Sequence, residues 1–387
     1  MRRAVIVDAV RTPIGRRNGF LRDWHPVDLS GHVIAALVER TGVDPDLIDD
    51  VIWGCVSQTG EQTGNVGRFA ALAAGLPEHV PGVALDRQCG SSQQAVHFAA
   101  QAVMAGAQDI VIAGGVESMT RIPMGTTFSQ GPGIAFGPRV MSRYEGRLVP
   151  QGLSAEMMAE KWGVSRTRLD EISTDSHARA ARAIDEGRFA TQIVPVEVKD
   201  ESGQTMTVTT DEGVRRGTTV DKLAALKPAF KEDGVVTAGN SSQISDGAGA
   251  LLVTGEDVAE KMGWQPMARI TEFAVVGDDP ILMLSAPIPA TFKVLERAGL
   301  DIGDIDLVEM NEAFASVVAA WLIETGADWD KVNVNGGAIA VGHPLGASGS
   351  ILMTRLVHEM TRTGARYGLQ AMCEGGGTSN ATILERI

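Results

Sequence analysis

Glu39-Arg40-Thr41-Gly42-Val43-Asp44-Pro45-Asp46-Leu47-Ile48-Asp49-Asp50-Val51-Ile52-Trp53 returns 257 residues later as Glu296-Arg297-Ala298-Gly299-Leu300-Asp301-Ile302-Gly303-Asp304-Ile305-Asp306-Leu307-Val308-Glu309-Met310. Seven of the fifteen positions are identical, from Glu39 with Glu296 to Val51 with Val308. A match of that density marks an internal duplication. The same shift sets Cys89 opposite Gly346, so the turns holding Cys89 and His343 are equivalent loops of two halves. With a few residues of slippage, the run Asp109–Gly115 meets Tyr367–Cys373, and Gly247–Val253 meets Asn380–Glu385. Each copy reads as strand, helix, strand, helix, strand, a βαβ-type pattern that predicts a mostly parallel, buried sheet. Helices are expected over Ser92–Ala105 and Ser348–Met360, each just after one of the two turns.

Residues 118–246 have no partner in the second half. This stretch holds Met-, Gly- and Pro-rich loops (119–152), helices near 154–162 and 166–187, and a basic strip from Arg215 to Lys231 carrying five basic residues and one Asp. The expected division is 1–117 with 247–268 as the first half, 118–246 as an inserted loop domain over the site, and 269–387 as the second half.

At 387 residues the chain exceeds one ordinary core, and 44% hydrophobic content with 45 glycines fits packed α/β layers. No apolar run approaches the ~18 residues of a membrane span, and the charged residues Asp8 and Arg11 make the start a first strand rather than a signal peptide. A net charge of −14 disfavours nucleic acid and anionic membranes as partners. The local excess at 215–231 is what a nucleotide phosphate requires on an acidic protein. Three cysteines without C-x-x-C spacing point to a reducing cytoplasm and weigh against a zinc site, the other chemistry open to Cys plus His. No metal or resident cofactor is expected.

Cys89, in Asp86-Arg87-Gln88-Cys89-Gly90-Ser91-Ser92, precedes a helix. Free N–H groups and the dipole there, with an adjacent imidazole, can lower a thiol pKa into the range of about 3.5–7.5. His343 lies in Asn335-Gly336-Gly337-Ala338-Ile339-Ala340-Val341-Gly342-His343-Pro344-Leu345-Gly346, a rigid loop. It lacks the Lys and the spacing of a phosphate-binding loop. Cys373 leads into Glu374-Gly375-Gly376-Gly377, whose N–H groups suit an oxyanion. Asn311, in Asn311-Glu312-Ala313-Phe314, suits a helix N-cap or a held water. Cys55 reads as a core residue. Two thiols and an imidazole fit a thioester-forming nucleophile, its base and a second acid/base group.

These four stretches, in order and along the whole chain, resemble the signatures of the thiolase family. The resemblance implies a thiolase fold of five αβαβα layers, CoA as co-substrate, homodimers or homotetramers, and CoA-dependent cleavage or condensation of 3-oxoacyl thioesters. It makes Cys89 the acylated nucleophile, His343 its base and Cys373 the acid/base group at the acetyl carbon. The enolate oxygen is then held by His343 and a water on Asn311, and the tetrahedral oxygen by the N–H groups of Cys89 and Gly375. The resemblance also puts Arg215, Ser242, Ile244, Ala313 and Phe314 near CoA, and Met283 in the acyl pocket.

The chain departs from many thiolases at Thr378-Ser379-Asn380 and has Pro150-Gln151 where biosynthetic members have His-Met. With Gln93-Gln94 and the Cys373–Asn380 ending, it looks closest to degradative thiolases of actinobacterial steroid catabolism. The expected activity is a 3-oxoacyl-CoA thiolase of fatty-acid or steroid degradation, acting on acyl groups larger than acetoacetyl. The alternatives are condensation of two acetyl-CoA and a non-catalytic acyl-CoA- or sterol-binding relative. A decarboxylating ketoacyl synthase is disfavoured by Cys373 and the Asn311–Phe314 stretch.

Overall fold

The computed structural model describes residues 2–200 and 202–387. In the first half, Asp50–Gly54 pairs parallel with Gly82–Leu85 and with Ile110–Ser118. Ile110–Ser118 pairs antiparallel with Ser245–Gly255, which pairs antiparallel with Ala4–Arg11. The second half repeats the pattern. Leu307–Met310 is parallel to Tyr367–Glu374, then come antiparallel Thr378–Arg386 and Ala268–Gly277. Ile110 and Tyr367, the first residues of matching strands, keep the 257-residue shift without slippage. Among the described residues, the two half-sheets pair at Val5 with Arg269 and Ile6 with Ala268.

The expectation of a mostly parallel sheet is corrected, because both halves are mixed. Tyr367–Glu374 and Thr378–Arg386 are joined only by Gly375-Gly376-Gly377. So short a link reverses the chain, whereas a parallel return needs about a dozen residues or more. Gly376 and Gly377 turn at φ 81° and 78°, in the left-handed region that glycine enters without a Cβ penalty. The first half makes the same antiparallel step although a long segment separates its strands.

Helices Ser91–Ala105 and Ser348–Thr363 lie between the half-sheets. Ala95, Val96, Ala99 and Val103 of one pack with Met353, Leu356, Val357 and Met360 of the other. Their neighbours are Ile52, Val111 and Leu251 of the first sheet and Ile270, Leu307 and Leu384 of the second. The helix from Ser348 is buried on every side through Met360, as a central layer demands. Outer helices Pro26–Thr41 and Val66–Ala73 cover the first sheet, and Pro287–Ala298 and Ala315–Thr325 the second, completing five layers. Cys55 is fully buried in the first outer core.

The two central helices begin against each other. Ser350 N–H donates to Ser92 Oγ at 2.8 Å, and a Cβ on Gly349 would overlap the Gln93 backbone. That crossing brings the Cys89 and His343 turns to one place. Helices Gln151–Lys161 and Arg166–Asp185 match the two expected between the first-half strands. Arg11 anchors this segment through a fully buried pair with Asp211 at 2.7 Å. No described helix is long and apolar enough to cross a membrane.

Candidate active site

Cys89 sits on a strained turn, since Gln88 before it has φ 49°, where a side chain is rarely tolerated. Local hydrogen bonds hold the turn: Gln88 N–H to Asp86 Oδ1 at 2.6 Å, Arg87 N–H to Ser91 Oγ at 2.9 Å, and Ser91 Oγ–H to Gln88 O at 2.6 Å. The expected low thiol pKa is corrected. Cys89 is packed with Leu345, Leu352 and Met372, and this burial pushes its thiol well up. Charge on Cys373 or Glu374 pushes the same way, against a hydrogen bond from Gln151. Desolvation outweighs the helix dipole here, so the resting group is the thiol.

His343 is fixed by its backbone N–H, shared between Gln243 O at 3.1 Å and Ser245 Oγ at 3.2 Å. Gly342 before it has φ 110°, and a Cβ there would run into Ser245. His343 Nδ1 lies 2.5 Å from Ser348 Oγ, while Ser348 gives its own proton to Pro344 O at 2.8 Å. A hydroxyl has one proton to give, so Nδ1 carries the imidazole hydrogen and Nε2 keeps a free lone pair. Burial lowers the imidazole to about 4, leaving it neutral near pH 7 and able to accept a proton.

Asn311 is not a helix cap. The helix is Ala315–Thr325 with Phe314 at its cap position. Asn311 instead extends the strand pairing, donating N–H to Ala371 O at 3.0 Å. That pairing aims its Nδ2 at His343 Nε2, 3.4 Å away, and at Cys373 Sγ, 3.9 Å away. Cys373 is the next-to-last residue of the neighbouring strand, fully buried, and its thiol is pushed up to about 12 by burial and by Glu374. Gly375 follows it against the side chain of Gln88, at the base of the Cys89 turn.

A cavity of about 700 Å³ opens at His343, while Cys89, Asn311 and Cys373 lie off its lining. His343, Arg215, Ser242, Ile244, Ala313 and Phe314 line it, so the structure gathers these expected binding residues in one place. Ser242 N–H donates to Ala313 O at 2.9 Å, which ties the two lining segments together. Phe230 meets Phe314 edge-on at 5.9 Å on the cavity wall. Met283 is not on that wall. It is buried in the second-half core, in the cluster that holds Phe314 and Cys373. The basic strip does not act as one patch either. Arg215 is exposed at the cavity, whereas Arg216 pairs with Asp185 at 2.7 Å.

Residues 4–257 match the family description "Thiolase, N-terminal domain", and residues 264–386 match "Thiolase, C-terminal domain". The chain belongs to the thiolase family. It is 48% identical to the steroid 3-ketoacyl-CoA thiolase FadA6 of Mycobacterium tuberculosis, over 100% of this chain and 95% of that protein. It is 45% identical to a 3-ketoacyl-CoA thiolase of Aliivibrio fischeri over the full length of both. The acetyl-CoA acetyltransferase of Bacillus anthracis superimposes with a TM-score of 0.90 at 38% identity, covering 100% of this chain and 99% of that one. The five-layered fold is therefore the thiolase fold.

Three residues of this thiolase site escaped sequence reasoning. Ser348 sets the His343 tautomer, yet looks like an ordinary helix-start serine. Gln151 stood out only as a departure from His-Met, and the structure places it on the cavity wall with His343. Glu312 is buried and accepts from Ser176 Oγ at 2.6 Å, Asn333 Nδ2 at 2.9 Å and Ile339 N–H at 3.2 Å. It thereby ties the helix Arg166–Asp185 to the loop leading to His343.

Proposed function

We propose that this acyltransferase is a 3-oxoacyl-CoA thiolase, cleaving a 3-oxoacyl-CoA with CoA into acetyl-CoA and a shortened acyl-CoA. The observation that carries the reading is the convergence of Asn311 Nδ2 on both His343 Nε2 and Cys373 Sγ, with His343 also lining a cavity of about 700 Å³. The neutral Nε2 takes the Cys89 proton as sulfur attacks the 3-carbonyl carbon. The oxyanion of the resulting adduct is held by the N–H groups of Cys89 and Gly375. Its collapse breaks the bond between carbons 2 and 3, leaving the acyl group on Cys89 and the electron pair on an acetyl-CoA enolate.

His343, now carrying a proton on Nε2, and a water on Asn311 hold the enolate oxygen. Cys373 gives its proton to the enolate carbon. A thiol held near 12 is a weak acid for solvent but a suitable one for a strongly basic carbon. His343 passes its proton to the Cys373 thiolate. The freed Nε2 then takes the thiol proton of a second CoA as its sulfur attacks the acyl carbon, and returns that proton to the departing Cys89 sulfur. The broken carbon–carbon bond is replaced by a thioester on Cys89, which is kept when the acyl group moves to CoA, so both directions are open.

Arg215 faces the nucleotide end of CoA, with Ser242, Ile244, Ala313 and Phe314 along its length, and Met283 belongs to the acyl pocket. The similarity to thiolases named for 3-ketoacyl and steroid 3-ketoacyl substrates supports degradation of acyl groups larger than acetoacetyl. The acetyl-CoA acetyltransferase likeness supports condensation of two acetyl-CoA as the second reading. The further proposals are a cytoplasmic homo-oligomer and the division 1–117 with 247–268, 118–246, and 269–387. The test is thiolysis of acetoacetyl-CoA against longer linear and ring-bearing 3-oxoacyl-CoAs, with mass analysis of the Cys89 peptide. Preference for the longer substrates is expected, with an acyl mass on Cys89 that Cys89→Ser abolishes. Absence of acyl mass on wild-type Cys89 overturns the reading.

A further inference from the structure

The duplication places two buried glutamates in equivalent positions, Glu117 and Glu374, related by the 257-residue shift. Each lies at the site end of its strand, Glu117 next to last in Ile110–Ser118 and Glu374 last in Tyr367–Glu374, and each reaches the catalytic turn of the opposite half. Glu117 receives N–H groups from Val56 at 2.9 Å, Ser57 at 3.0 Å, the Gln62 amide at 2.9 Å and Gly346 at 2.9 Å. The last of these anchors the His343 turn. Glu374 lies against Gly90, where a Cβ would overlap its Oε1.

The two shells differ. Glu374 Oε2 accepts from Thr378 Oγ1 at 2.7 Å, but Oε1 has no hydrogen-bond partner among the described residues. The charged and titratable groups facing it are Arg87 and Asp86 on the turn and the thiols of Cys89 and Cys373. An ionised carboxylate with one oxygen bare in the interior is poorly compensated. It would also oppose a thiolate on either cysteine. The neutral acid does neither, and it can fill the space that Gly90 leaves.

We propose that Glu374 is a positioning residue for acyl transfer, supporting the Cys89 turn from the opposite half of the fold in its uncharged acid form. Burial pushes its carboxyl up to about 8, in keeping with that state at neutral pH. Ionisation above that range then places a negative charge beside the nucleophile and suppresses its thiolate. The inference rests on Cys89 being the nucleophile.

The experiment follows iodoacetamide alkylation of the Cys89 peptide against pH in wild type, Glu374→Gln and Thr378→Val. The rate ratio of Glu374→Gln to wild type should rise by about tenfold between about pH 7 and about pH 9.5, the size of a one-unit thiol shift. Thr378→Val removes a hydrogen bond that favours the ionised form, so its departure from the wild-type single-proton curve should begin at higher pH. A pH-independent ratio for Glu374→Gln overturns the proposal. An unshifted Thr378→Val profile does so as well, and serves alone if the glutamine variant does not fold. Acyl mass on wild-type Cys89 separates the two failures: with it present and the ratio flat, only the role of Glu374 falls.

Discussion

His343 and Ser348 are joined by an Nδ1–H···Oγ hydrogen bond of 2.5 Å, and the serine passes its own proton to Pro344 O at 2.8 Å. This relay fixes which imidazole nitrogen is basic before any substrate arrives. Ser348→Ala lets the ring take either tautomer. The expected result is about a tenfold loss in kcat with KM nearly kept, a part of the roughly 10²–10⁴ that a positioned proton carrier contributes. Steady-state thiolysis checks it, and an unchanged kcat would remove Ser348 from the mechanism.

Cys373 is needed only where a proton moves on carbon. Cys373→Ser should therefore slow cleavage of a 3-oxoacyl-CoA by about 10²–10⁴. Acetyl transfer from acetyl-CoA to Cys89, which forms no enolate, should persist. Mass analysis after incubation with acetyl-CoA separates the two steps. Loss of Cys89 acetylation in this variant would mean that the thiols act as a single unit.

Arg215 and Arg216 are neighbours with different fates. Arg215 is exposed at the cavity, while Arg216 is held by Asp185 at 2.7 Å. Arg215→Ala should raise the KM for CoA by about tenfold at low salt, with the effect shrinking as ionic strength screens the phosphate contact. Arg216→Ala should leave that KM within about twofold, because its charge is already compensated. Initial rates at two salt concentrations decide it.

His97 is buried, stacked on Phe273 at 4.8 Å, and bonded to Thr382 Oγ1 at 2.7 Å and Asn380 Nδ2 at 3.1 Å. Burial lowers its imidazole from 6.5 to about 3, so the ring is neutral in the fold. Below pH 6.5 the unfolded chain binds a proton that the folded chain does not, and stability falls as pH drops toward about 3. His97→Gln removes this one contribution. Its stability should decline less steeply than the wild type between about pH 6.5 and about pH 5, measured by denaturant unfolding at each pH.

Much of this protein was legible because it lies in local sequence or in repetition. The copy of Glu39–Trp53 at Glu296–Met310 disclosed two halves, and the turns at Cys89, His343 and Cys373, with Asn311, carried the family resemblance. Helix positions after the two turns followed from the same pattern. The basic strip, by contrast, was only half legible. Its charges are countable in sequence, but the pairing of Arg216 with Asp185 is not.

The sequence by itself determined the duplication, the four catalytic stretches and the family. Tertiary structure decided strand direction, the strand-end placement of Asn311, the tautomer of His343 and the protonation of Cys89. The physical reason is range. Turns and helix starts depend on neighbouring residues, whereas a pKa or tautomer depends on the dielectric and on partners hundreds of residues away. Cys89 shows the difference most directly: its helix start favours a thiolate, and the walls of Leu345, Leu352 and Met372 keep it a thiol.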